Sequence, residues 1–67
     1  MDLARLLEMR SSLKGTPSDT AASRLYEVAF HAAHGYPREN KLIRSMFTKL
    51  RVLCIKEKVW EGLKRSA

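Results

Sequence analysis

The sequence predicts an all-α protein, a three-helix chain that is expected to dimerise into an antiparallel four-helix bundle. Apolar residues recur at the helical period in three segments, and turn residues such as Gly15 and Gly35 separate these segments. The 67 residues provide one domain, 1–67, with a small core, and the single cysteine excludes an intrachain disulfide. Self-association is therefore the expected source of additional stability.

The first helix is predicted from about Leu3 to Leu13, with Asp2 as its N-cap. Its inward face is predicted to consist of Leu3, Leu6, Leu7 and Leu13. Gly15 is expected to end the helix, because glycine adopts the left-handed conformation at little cost.

The second helix is predicted to begin at Ser18 or Asp19 and to end at about His34. The residues predicted to face inward are Ala22, Leu25, Val28, Ala29, Ala32 and Ala33. The alanines would let a second helix approach closely. Gly35 is predicted as the C-cap, and Pro37 as the first residue of the next helix.

The third helix is predicted from Pro37 towards Leu63. One apolar face comprises Leu42, Ile43, Met46, Phe47, Leu50, Leu53 and Cys54. An α-helix turns by 100° per residue, so a second set of apolar residues, later in the chain, lies on a different side of this helix. This set is Val52, Ile55, Val59 and Leu63. Because one neighbour cannot cover both sides of a straight helix, we expect a break near 55–58 and a short last helix. The alternative is a dimer partner that encloses residues 52–55.

The net charge of +6 is unevenly distributed. Residues 1–35 are neutral, whereas residues 36–67 hold nine cations against three carboxylates. This asymmetry favours a polyanionic partner. No segment is apolar enough to cross a bilayer, and the charged start 1–5 is unlike a secretory signal, so a cytoplasmic location without membrane association is expected.

A row of polar residues lies on the third helix opposite its apolar face. It consists of Lys41, Arg44, Thr48 and Arg51 and spans about 15 Å. No Asp or Glu occurs between Glu39 and Glu57. An ordinary solvated helix face would also be charged, but the missing carboxylates favour phosphate binding. Further cations are expected to add positive field at the edges of the row: Arg38, Lys49, Lys56 and Lys58.

The composition indicates how a nucleic acid would be recognised. The chain has no glutamine, and Asn40 is its only asparagine, so the side chains that read adenine are nearly absent. Recognition of backbone and shape is therefore expected. Duplex RNA is favoured as the partner, because its deep, narrow major groove hides base edges, while DNA remains possible.

The row, followed by Lys56-Glu57-Lys58-Val59, resembles the RNA-facing helix of the nodavirus RNA-silencing suppressors. Arg44, Thr48 and Arg51 match the family's basic-x3-Thr-x2-Arg pattern, and Lys41 takes the preceding position. The resemblance implies a viral homodimer that forms a four-helix bundle along double-stranded RNA without reading its sequence. It also implies a short final helix at 59–63, and a function in shielding duplex RNA from silencing enzymes in the host cytoplasm.

Other functions are predicted less strongly. An enzyme is not expected, because the serines lack evident histidine and acid partners and no phosphate loop occurs. No cofactor or metal is expected either, since Glu27, His31 and His34 are explained by helix pairing and a favourable C-terminal position. The main rival is a regulator that docks on a larger protein through an apolar patch, with Trp60 as its anchor. The other residues of this docking patch are Val52, Ile55, Val59 and Leu63. The residues predicted for a dimer or partner interface are Leu42, Met46, Phe47, Leu50, Leu53 and Trp60.

Overall fold

The computed structural model describes residues 3–66, with side chains described through Arg65. This part of the chain forms four helices and no strand: α1 (Leu3–Ser12), α2 (Asp19–His34), α3 (Asn40–Lys56) and α4 (Trp60–Ser66). The prediction of an all-α fold is confirmed. The predicted third helix is two helices, and the Asp2 cap lies outside the described residues.

The core lies between α1, α2 and α3. The helices α2 and α3 pack against each other most extensively, α1 lies against both, and α4 packs on the end of α3. The buried apolar side chains are Leu6, Met9, Leu13, Ala22, Ala29, Ala32, Ile43, Met46, Leu50, Cys54 and Leu63. As predicted, the α2 side of the core is built from small alanines, which permit close helix packing.

Two residues predicted to face inward are in fact exposed. Leu7 is 45% exposed, whereas Met9 is fully buried. The reason is that α2 and α3 cover the line of Leu6, Met9 and Leu13, and Leu7 lies 100° from Leu6 around α1. Val28 is 41% exposed, because it lines an open groove between α2 and α3.

The connection between α2 and α3 corrects one predicted boundary. Gly35 is the C-cap of α2, as predicted, and its N–H donates to the Ala32 carbonyl at 3.4 Å. However, α3 begins at Asn40 and not at Pro37. The backbone N–H of Glu39 donates to the Ala32 carbonyl at 3.3 Å, which holds the connection against the end of α2 and delays the new helix.

The predicted break after α3 is confirmed. The helix ends at Lys56, Lys58 adopts a positive φ of 62°, and the N–H of Val59 donates to the Cys54 carbonyl at 2.9 Å. The hydroxyl of Ser18 does not cap α2 but donates to the Glu57 carboxylate, which ties this turn to the start of α2. The reversal of direction lets Leu63 enter the core.

Two glycines offer opposite stability predictions. Gly15 has a φ of +80°, and Gly62 lies within α4; a Cβ at either position would meet no atom within 4 Å. Gly15→Ala is therefore expected to lower the free energy of unfolding by about 1 kcal/mol through left-handed strain alone. Gly62→Ala should raise it by about 0.5 kcal/mol, because alanine favours helix. Urea denaturation of both variants checks this pair; a stabilising Gly15→Ala would contradict the assigned turn.

Candidate nucleic-acid interface

The four residues of the basic row all lie on the exposed surface of α3. The buried side chains of α3 are Ile43, Met46, Leu50 and Cys54, which lie on the far side of the helix. The row therefore lies away from the core, and each of its four side chains is exposed. The helix α3 contains no acidic residue.

Intramolecular ion pairs do not neutralise the row. Within residues 3–66, the carboxylate pairs are Arg5 with Glu8, His31 with Glu27, and Lys64 with Glu61, all on helices other than α3. The cations of the row therefore keep their charge available for an external anion. An exposed, unneutralised line of positive charge attracts polyanions over a distance of about one Debye length, roughly 8 Å at physiological salt.

The hydroxyl group of Thr48, the third residue of the row, already makes a hydrogen bond within α3. The Thr48 Oγ1 donates to the Arg44 carbonyl at 3.2 Å, the usual back-bond of a helical threonine. Its place in the row predicts that Thr48 donates its hydroxyl hydrogen bond to an RNA phosphate, whereas in this structure the hydroxyl donates to the Arg44 carbonyl. In this conformation the oxygen retains its lone pairs and can accept a hydrogen bond.

The four edge cations are also exposed. Arg38 lies in the connection before α3, where its Nε donates to the Ala33 carbonyl at 3.2 Å. Lys49 and Lys56 lie on α3, and Lys58 lies in the turn after it. Sequence reasoning missed Arg24 of α2, which lies beside Lys49 across the helix pair and enlarges the basic surface. No helical period could reveal this pairing, because the two residues lie on different elements.

The predicted interface residues separate into two groups. Leu42, Phe47, Leu53 and Trp60 are partly buried and pack against the core. Met46 and Leu50 are 4% and 0% exposed within the single chain, because they belong to the core between α1, α2 and α3. This is a correction to the predicted interface, since neither side chain offers surface to a partner.

A shallow apolar groove of about 550 Å³ runs between α2 and α3. Its apolar lining comprises Ala21, Leu25, Val28, Val52 and Leu53, while Thr48 of the row forms part of one wall. Val52 and Ile55 are 56% and 54% exposed, so apolar surface continues along α3 beside the basic row. Groove and row thus form one continuous face.

Trp60 is less available than a docking anchor should be. It is half-buried against the core, and the Arg5 guanidinium lies 5.8 Å from its ring centroid. Leu63, another member of the predicted docking patch, is only 8% exposed. The patch is therefore not one surface, because α4 turns Leu63 inward while Val52 and Ile55 point outward.

Cys54 is buried, as predicted, and its thiol lies 3.8 Å from the Met9 carbonyl. Burial raises the pKa of the Cys54 thiol, and nearby Arg5 partly opposes this effect. The folded state holds the thiol proton more tightly than the unfolded state does, so the protonated thiol stabilises the fold. This stabilisation is complete below the unfolded-state pKa and is lost as pH rises through the higher folded-state pKa.

We expect the unmodified chain to lose more unfolding free energy between pH 7 and pH 10 than Cys54→Ala does. Denaturation of both proteins at the two pH values measures this difference. All other ionisable groups are common to the two proteins, so their contributions cancel in the comparison. Equal losses would show that burial does not perturb the thiol.

Other site types are not evident in residues 3–66. These residues contain no group of three or more His, Cys, Asp or Glu side chains that could hold a metal ion. The Nε2 of His31 lies 3.9 Å from Glu27 on an exposed surface, and the Nδ1 of His34 lies 2.8 Å from the Phe30 carbonyl. Among the helices described, none combines the length and apolar character needed to cross a membrane.

Comparisons with protein-family models, with curated proteins and with solved structures found no match to this chain.

Proposed function

We propose that this chain is a sequence-independent double-stranded RNA-binding protein that uses the basic row of α3. The observation that supports this proposal is the exposure of Lys41, Arg44 and Arg51 in one line on a helix without acidic residues, with none of the three in an ion pair among the described residues. Three cations on a rigid helix can contact successive phosphates without a folding cost, and release of counterions drives such binding.

Within this proposal, Arg44 and Arg51 bind phosphate oxygens with their planar guanidinium groups, which can form paired hydrogen bonds. Lys41 contributes a point charge at the start of the row. The Thr48 oxygen, which keeps its lone pairs, accepts a hydrogen bond from a ribose 2′-hydroxyl. That contact is the only one of the four that would distinguish RNA from DNA.

A second copy of the chain would extend the contact. We propose that two chains pair through the groove between α2 and α3 into an antiparallel four-helix bundle. The exposed Val28 and Val52 support this arrangement, since they would otherwise remain in water. Pairing would place two basic rows on one assembly. By resemblance to the nodavirus suppressors, the biological role would be to shield duplex RNA from silencing enzymes.

The test is a titration with a 20-base-pair RNA duplex, the matched DNA duplex and the single RNA strand at two salt concentrations. We expect tight, salt-sensitive binding to the RNA duplex and weaker binding to the other two. Thr48→Val removes the hydroxyl and keeps the side-chain shape, so it should weaken RNA binding several-fold and leave DNA binding unchanged. Absence of binding to all three at low salt would refute the proposal and favour a protein partner.

A further inference from the structure

A second cationic site lies at one end of the basic row. Where α2 ends and α3 begins, the chain forms a partly open cavity of about 440 Å³. This volume lies in the range of small-ligand pockets. Its floor is apolar and is formed by Leu3, Ala33 and Ile43. Three helices contribute to it, so the cavity exists only in the folded chain.

The polar wall of the cavity is positively charged. His34, Arg38, Asn40 and Arg44 line it, and within residues 3–65 no carboxylate does. The Arg38 Nε donates to the Ala33 carbonyl, which fixes the side chain and leaves both terminal guanidinium nitrogens for another acceptor. Since the Phe30 carbonyl can only accept, it takes a hydrogen bond from the His34 Nδ1. The Nε2 is then the atom that can donate when the ring is protonated.

We propose that this cavity binds a phosphomonoester dianion, and that in the complex it holds the 5′-terminal phosphate of an RNA strand. Two arginines that line one cavity, Arg38 and Arg44, suit a doubly charged phosphate. An internal phosphodiester carries only one negative charge, so it pairs less strongly with two guanidinium groups. The apolar floor would contact the terminal nucleoside.

The position of the cavity links it to the row. Arg44 belongs to both, and the cavity lies at the end of α3 where the row begins. A strand whose phosphates follow the row therefore brings its terminus to the cavity. This link to a strand end rests on the proposed duplex binding, whereas affinity for a free phosphomonoester or inorganic phosphate does not.

Two experiments separate these possibilities. In the first, the chain is titrated with inorganic phosphate and, as a control, with sodium chloride at equal ionic strength, while backbone amide shifts are recorded by NMR. We expect saturable shifts at Ala33, His34 and Asn40 with phosphate alone, and their loss in Arg38→Ala. Shifts that match the chloride control, or that persist in Arg38→Ala, would overturn the site.

In the second experiment, RNA duplexes with 5′-phosphate and 5′-hydroxyl ends are compared. We expect at least five-fold tighter binding of the phosphorylated duplex, a ratio near one in Arg38→Ala, and an unchanged ratio in Arg51→Ala despite weaker binding overall. Equal binding of the two duplexes by the unmodified chain would refute the terminal-phosphate role. If neither duplex binds, the proposed function fails, and the inorganic phosphate titration still decides whether the cavity is a phosphate site.

Discussion

The double charge reversal Arg44→Glu with Arg51→Glu is expected to weaken duplex RNA binding by about 100-fold or more. Each arginine loses a charge-assisted contact that contributes roughly 1.5 kcal/mol, and each new carboxylate repels the backbone. Both side chains are exposed on α3, so the fold should be unaffected. Fluorescence anisotropy with a labelled duplex measures the change, and circular dichroism verifies that the helices remain.

A matched control separates a specific row from general positive charge. Lys14→Glu with Arg65→Glu changes the net charge by the same amount at two exposed residues outside α3. Under the proposed mechanism this control variant should bind the duplex within a few-fold of the unmodified chain. Equal losses in the two double variants would mean that net charge alone, and not the row, attracts the RNA.

The substitution Leu50→Ala is expected to lower the free energy of unfolding by about 3 kcal/mol. Leu50 is completely buried in the centre of the core, and such truncations remove apolar contact and leave a cavity. A single-core domain of this size is stabilised by only about 3–5 kcal/mol, so much of the variant should be unfolded at 25 °C. Urea denaturation followed by circular dichroism provides the measurement.

Val52→Ala is the matched control on the same helix. Val52 is 56% exposed, so its truncation should change the free energy of unfolding by less than about 0.5 kcal/mol at low protein concentration, where the chain is monomeric. Comparable losses from Leu50→Ala and Val52→Ala would show that α3 is rotated relative to the arrangement described above. The pair therefore tests which face α1 covers.

Local signals in the sequence predicted most of the helix boundaries. The helices α1 and α2 end close to Gly15 and Gly35, as expected. Glycine and the end of the regular apolar spacing are local signals that can be recognised within a few residues. The break after Lys56 followed from two apolar sets that a single straight helix could not bury together. Pro37 misled the prediction, since the N–H of Glu39 bonds back to α2 and postpones the start of α3.

The sequence predicted the burial of a side chain less well wherever that burial depends on a neighbouring helix. The helical spacing of apolar residues assigns Leu7 and Val28 to apolar faces. That spacing does not show which side of each helix a neighbouring helix covers. For the same reason Met46 and Leu50 were assigned to an interface, whereas both are buried in the core of the single chain. The exposure of the row was predictable because it lies opposite the apolar face. The cavity beside Arg38 was not, because it combines residues of three elements.

Each copy of the chain contributes one Arg51 to the basic row. The salt dependence of RNA binding can therefore report how many copies of the chain bind one duplex. For duplex DNA, the logarithm of the binding constant falls with the logarithm of salt concentration by about 0.9 per neutralised phosphate. If RNA behaves similarly, Arg51→Ala should make this dependence shallower by about 1 for one bound chain and by about 2 for a pair. The difference between the two slopes reports stoichiometry on the duplex, even though the edge cations contribute to both.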